Sequence, residues 1–124
     1  MSNTDKTTFH PFIVIDGRDS EWSDVRVSFD NWGWLQEAYK TDIINDYHMN
    51  GYGIQALVLA ARVAAGLDVY PADLDLNSEG DTCYLIFKNY ASAVETAGLA
   101  KEMITSRKAI EKMINIAREH NLED

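Results

Sequence analysis

Residues 47–61 read Y-H-M-N-G-Y-G-I-Q-A-L-V-L-A-A, and the fold turns on how they are taken. Gly51-x-Gly53-x-x-Ala56 ahead of an apolar helix has the lettering of a dinucleotide-binding loop, which would make the chain a parallel α/β protein. That loop works only where a buried strand ends against it, because the strand carries the pyrophosphate to the helix N-terminus. Here the preceding D-I-I-N-D-Y-H-M-N is polar and more helical than strand-like, and its carboxylates would repel phosphate. The stretch is therefore read as a tight connection between two helices, with Asn50 and the glycines at positive φ.

Working outward, Asp30 or Asn31 can cap a first helix that carries Leu35, Ala38, Tyr39 and Ile43 on one face. On the other side, Ile54, Leu57, Val58, Ala61 and Ala65 form a strongly apolar second helix, ending near Gly66. Before this pair, Phe9–Ile15 is apolar and β-branched with Pro11 near its start, and Val25, Val27 and Phe29 alternate with polar residues. These two segments predict a hairpin. After the pair, Leu74 and Leu76 alternate with acids, N-S-E-G-D makes a turn, and T-C-Y-L-I-F-K is a strand apolar on both faces. Ser92-x-x-Glu95 is a candidate capping box for a third helix, and Ile110, Met113, Ile114 and Ala117 stripe a fourth.

The predicted order is ββααββαα, a single α+β domain over residues 9–124 whose helices cover an antiparallel sheet, preceded by a flexible polar segment at 1–8. Two antiparallel helices between the hairpins would return the chain to the end of the sheet where it left. Both acidic turns, Asp16–Asp24 and Asn77–Asp81, are then expected at the same edge.

Charge narrows the partners. The chain carries a net charge of −9, so nucleic acid and anionic membranes are poor partners. Residues 1–30 hold six acids against three bases, and residues 67–81 hold five acids and no base. Clustered charge of this kind steers encounter with a basic partner, although a solvated acidic surface has the same composition. The candidate contacts are Asp16, Asp19, Glu21, Trp22 and Asp24 in the first segment, and Asp73, Asp75, Glu79 and Asp81 in the second. Trp22 is an aromatic amid acids, the composition of an interaction hot spot, though it could also fold back over the hairpin. The polar N-terminus, the absence of a long apolar run and the single Cys83 favour the cytoplasm.

Chemistry is sparse. His10, His48 and His120 lack metal-ligand spacing, and D-L-D-L-N at 73–77 starts like a calcium loop but places Ser78 where glycine is required. Cys83 sits in an apolar strand, where an inert packing role is expected. Neither a cofactor, a metal nor a catalytic group is assigned. The alternative left open is a small enzyme or ligand-binding domain with a pocket near residues 47–53.

N-G-Y at 50–52, L-D-L-N-S-E-G-D-T-C-Y-L-I-F at 74–87 and A-S-A-V-E-T-A-G-L-A at 91–100 resemble the immunity protein 51 family of bacterial polymorphic toxin systems. F-H-P-F-I-V-I and V-R-V-S-F look like that family's opening strands, so the likeness covers about residues 9–105. The chain differs from many members in carrying Gly53 and Ile54 after N-G-Y, and in its tail beyond Ser106. The resemblance implies a non-catalytic inhibitor that binds its cognate toxin C-terminal domain in the cytoplasm. Such toxins are often nucleases with basic surfaces.

Overall fold

A computed structural model describes residues 3–122. Its elements are β1 (Asn3–Asp5), β2 (Ile13–Gly17), β3 (Asp24–Phe29), α1 (Trp32–Tyr39), β4 (Ile43–Ile44), β5 (Tyr47–His48), α2 (Gly51–Ala64), β6 (Leu74–Leu76), β7 (Cys83–Phe87), α3 (Tyr90–Ile104) and α4 (Arg107–Glu119). Five strands make one antiparallel sheet in the order β1-β2-β3-β7-β6, and β4 and β5 make a separate small hairpin. The fold is α+β, as the alternating and 3.6-residue patterns predict.

Alternation decides which face is buried. Val25, Val27 and Phe29 of β3 and Cys83, Leu85 and Phe87 of β7 are each completely or almost completely buried. Helix α3 packs on β2, β3 and β7 and α2 packs on β7, on this same face. Helix α4 then lies on α2 and α3 through Ile110, Met113, Ile114 and Ala117, the stripe read from the sequence. The strands β2, β3 and β7 turn their other side chains to the opposite face, away from α2 and α3.

The start of α2 does not work as expected. Asn50 is extended (φ −110°) and caps the helix by accepting the Gly53 N–H, and Gly51 and Gly53 are helical residues rather than turn residues. They are glycines because of close approach. A Cβ on Gly51 would collide with the Glu79 carbonyl and come within 2.7 Å of that of Thr82, and one on Gly53 would strike the His48 carbonyl. The Gly51 N–H donates to Gly80 O at 3.0 Å, so the helix start is bolted to the β6–β7 turn. At the other end, Gly66 (φ 78°) closes α2 with its N–H on Val63 O, and the Leu67 N–H on Arg62 O completes the cap. Buried Arg62 donates to Asp68 O and Thr96 Oγ1, tying the outgoing chain to α3.

Four further expectations are corrected. The strand expected at Phe9–Ile15 begins only at Ile13, as β2, because Phe9–Phe12 forms a turn that contains the cis His10–Pro11 peptide. Residues 3–5, placed in the flexible polar segment 1–8, instead pair with β2 as an edge strand; positions 1 and 2 lie outside the described residues. Helix α3 is capped by Asn89, whose side chain accepts the Ser92 N–H, so Ser92 lies inside the first turn and is no cap. Helix α1 stops at Tyr39, and Ile43 belongs to β4. Asn45 and Asp46, both at positive φ, make the two-residue turn that pairs β4 with β5.

That last difference changes the topology. The β4–β5 hairpin stays at the sheet end where β3 finishes, so only α2 runs the length of the sheet, and a single crossing leaves the chain at the opposite end. The ladder agrees: Phe29 pairs with Cys83, whereas Val25 and Leu74 both pair with Phe87. The turn 18–23 and the turn 77–82 therefore project from opposite ends. The single acidic edge is not formed.

Gly51→Ala is expected to lower stability by about 3 kcal/mol, since its Cβ has only backbone to displace. Gly33→Ala, whose Cβ would meet only the Asn31 side-chain oxygen at an ordinary 4.0 Å, should raise stability by roughly 0.5–1 kcal/mol. Urea unfolding of both variants checks the contrast.

Candidate functional site

The uncovered face of the sheet is a grid that the strand registers define. One row holds Gly17, Asp24, Lys88 and Asp73; the next holds Ile15, Arg26, Ile86 and Asp75; the third holds Ile13, Ser28, Tyr84 and Asn77. Adjacent strands lie about 4.8 Å apart, so Asp24 and Asp73, two strands away, stand roughly 10 Å from each other. Asp73 thus joins the end that carries the turn 18–23, although the rest of its segment does not.

At that end the chain folds over the face. Ile15, Gly17, Trp22, Arg26 and Tyr84 line a cavity of about 200 Å³, and Trp22 beside it is 62% exposed. Arg26 is the hub of this group. It donates to the Asp24 carboxylate at 3.1 and 3.3 Å and to the Tyr84 hydroxyl at 2.9 Å. Asp24, and after it Tyr84, hold the Arg26 guanidinium above even its usual high range. Asp24 itself is only 5% exposed, so its carboxylate depends on this partner.

The sequence-predicted contacts divide by position. Asp19, Glu21 and Trp22 are exposed in the turn, and Asp75 is exposed on β6. Asp16 lies on the helix side of β2, where Arg18 pairs with it at 2.7 Å and lowers its pKa, and Arg18 also stacks on Tyr90. Glu79 and Asp81 sit at the far end and do not join the group. Their backbone is engaged there: Glu79 bridges to Thr82, and the Asp81 carbonyl accepts the Trp32 indole N–H. Trp32 and Trp34 are half-buried against the core through Phe29, His10 and Tyr39.

The sequence reading missed Ile15, Arg26, Tyr84 and Ile86. The signal was present in the phase of the alternation, since each sits one residue out of step with a buried neighbour. Only the cross-strand register shows that they form one surface. Exposed Tyr70, in the loop before β6, adds a further aromatic at the turn end.

The glycine segment is filled rather than hollow. Carbonyl oxygens of Glu79, Thr82 and His48 face Gly51 and Gly53, and the Tyr47 hydroxyl donates to Gly53 O at 2.6 Å. A phosphate at this helix start would meet carbonyl oxygens, with the Gly51 and Gly53 N–H groups already donating elsewhere. The pocket expected near residues 47–53 is therefore occupied by protein at its glycines. Cys83 is wholly buried, and that burial pushes its thiol up to about 12, with a hydrogen bond from Ser78 opposing. Among the described residues no three His, Cys, Asp or Glu side chains are grouped to hold a metal, and no helix is long and apolar enough to cross a membrane.

No family model matches the chain, and neither a curated protein nor a solved structure matches it.

Replacing Arg26 with leucine strands the buried Asp24 carboxylate and should cost about 3 kcal/mol; adding Asp24→Asn should recover most of the loss. Thermal unfolding of the single and double variants reads this. The native thiol should stay unlabelled by a thiol reagent at pH 8 until denaturant unfolds the chain. Because the folded thiol keeps its proton longer than the unfolded one, its contribution to stability is intact below the usual thiol value of 9.0 and erodes as pH rises toward about 12. The slope is at most about 1.4 kcal/mol per pH unit.

Proposed function

We propose that this chain is an inhibitor of the immunity type, which binds a cognate toxin domain in the cytoplasm through the open sheet face and its turn end. The observation that carries the reading is that uncovered face. It sets Trp22, Tyr84, Ile15 and Ile86 around a clamped Arg26, with Asp19, Glu21, Asp73 and Asp75 about them. Trp, Tyr and Arg are the residues that dominate binding energy at interfaces, and surrounding acids select a basic partner.

The reading is supported by charge as well. At this end or on this face Asp16, Asp19, Glu21, Asp24, Asp68, Asp73 and Asp75 stand against Arg18, Arg26, Lys88 and the buried Arg62; Arg18 and Arg26 are already paired to carboxylates, and Arg62 is engaged by Asp68 O and Thr96. A toxin with a phosphate-binding cleft presents the complementary sign. The inhibitor works by occupation: acids sit where substrate phosphates would, while the aromatic centre excludes water and slows dissociation. No group on the inhibitor has to react. Glu79 and Asp81 fall outside this surface and are not assigned contacts.

Expression of the chain should protect cells from the toxin domain encoded beside its gene, and the two proteins should copurify. Trp22→Ala should weaken the complex by about 2 kcal/mol, roughly 30-fold in Kd. Reversing Asp19 and Glu21 to lysine should slow association and flatten its salt dependence. Calorimetry and stopped-flow binding check these values, and an unprotected host would sink the reading.

A further inference from the structure

The edge of the sheet at β6 carries unused backbone groups, and we propose that it accepts a strand of the partner in which lysine or arginine alternates with apolar residues. The partner's identity rests on the inhibitor reading above, whereas the pairing geometry rests on β6 alone. Lys88 N–H donates to Asp73 O and Asn77 N–H to Tyr84 O, both at 2.9 Å. In an antiparallel ladder these bonds fix the alternation, so residues 73, 75 and 77 face β7 and residues 74 and 76 face outward. The outward Leu74 N–H is taken by Pro71 O at 3.1 Å. Leu74 C=O and both backbone groups of Leu76 remain for a new strand.

Side chains decide which strand can use them. Asp75 lies on the open face beside Ile86, in the same row as Arg26 one strand further on, and it is exposed. A side chain directly opposite it on an added strand would stand about 5 Å away. A second copy of this chain pairing there would bring its own Asp73 and Asp75 into that position, and like charges directly opposed disfavour the pairing. Acids on a short edge thus keep the protein from pairing with itself. A lysine or arginine turns the same position into an attraction. On the helix side, Leu76 is 37% exposed and gains an apolar neighbour from the alternate residues of the incoming strand. The basic side chains then continue the open face, next to the group around Arg26.

A short blocked peptide of alternating lysine and valine, titrated into the labelled protein, tests this without any toxin. The Leu76 amide resonance is expected to shift, and its hydrogen exchange to slow about tenfold at saturation. A glutamate–valine peptide is expected to do neither. Asp75→Lys should reverse that preference. Leu76→Pro removes only an outward N–H, so it should fold and lose the response. Equal response to both peptides, or shifts at Trp22 with Leu76 unmoved, would overturn the proposal. An intact peptide response in a protein that fails to protect cells would count against the inhibitor reading alone.

Discussion

The contact between the start of α2 and the β6–β7 turn is the constraint on which the arrangement depends. Gly51 lies so close to the carbonyls of Glu79 and Thr82 that no side chain fits between them. The helix therefore begins at the sheet end where β3 finishes and β7 starts. From there its apolar length carries it along β7 to the other end, where Gly66 and Arg62 turn the chain out toward β6. The loop leaving α2 and the turn 18–23 meet at that end because α2 crosses once. A second crossing would have put Glu79 and Asp81 there and taken Asp73 away.

Much of this was legible in the residues, and the failures have physical causes. Strand β3, strand β7 and the stripe of α4 follow directly from period-two and helical patterns, because in each the residues turned toward the core (Val25, Val27 and Phe29 in β3) are all apolar. The pattern extends α1 past its observed end because Ile43 falls in phase with Leu35 and Tyr39. Asn45 and Asp46, which take positive φ and force a hairpin, were the overlooked signal. The sequence alone assigns conformational freedom to the glycines at 51 and 53, and what they supply is proximity. For Gly53 the close neighbour is the nearby His48 carbonyl, but for Gly51 it is Glu79, 28 residues away, which local sequence cannot name. The site divides likewise. Exposed Trp22 and its neighbouring acids were visible, while the grid of Ile15, Arg26, Tyr84 and Ile86 exists only once strands distant in sequence are in register.

The clamp around Arg26 bears on what this surface can bind. An arginine free on an acidic face would weaken attraction to a basic partner and would lose side-chain entropy on contact. Here the guanidinium is already fixed by Asp24 and Tyr84, with its charge locally matched. What it presents outward is a planar, preorganised group beside Trp22. Ordering costs at an interface run about 0.5–1.5 kcal/mol for each long side chain, so a group fixed in advance adds affinity without them.

An antiparallel sheet with one face in water is ordinary, so the open face by itself argues for nothing. Its composition is the informative part. A solvated face should be lined by Thr, Lys, Glu and similar residues, yet β2 and β7 contribute Ile13, Ile15, Ile86 and Tyr84, with Trp22 leaning beside them. Strand propensity and cross-strand pairing favour such residues on any sheet. The proposed interface would add burial on binding as a second reason for them. In the proposed complex the acids at the rim and along β6 would act over two distances, drawing in an oppositely charged partner from about a Debye length and discouraging a second copy at contact. Apolar centre and acidic rim would then be two parts of one selection: the centre would hold what arrives, and the rim would decide what arrives.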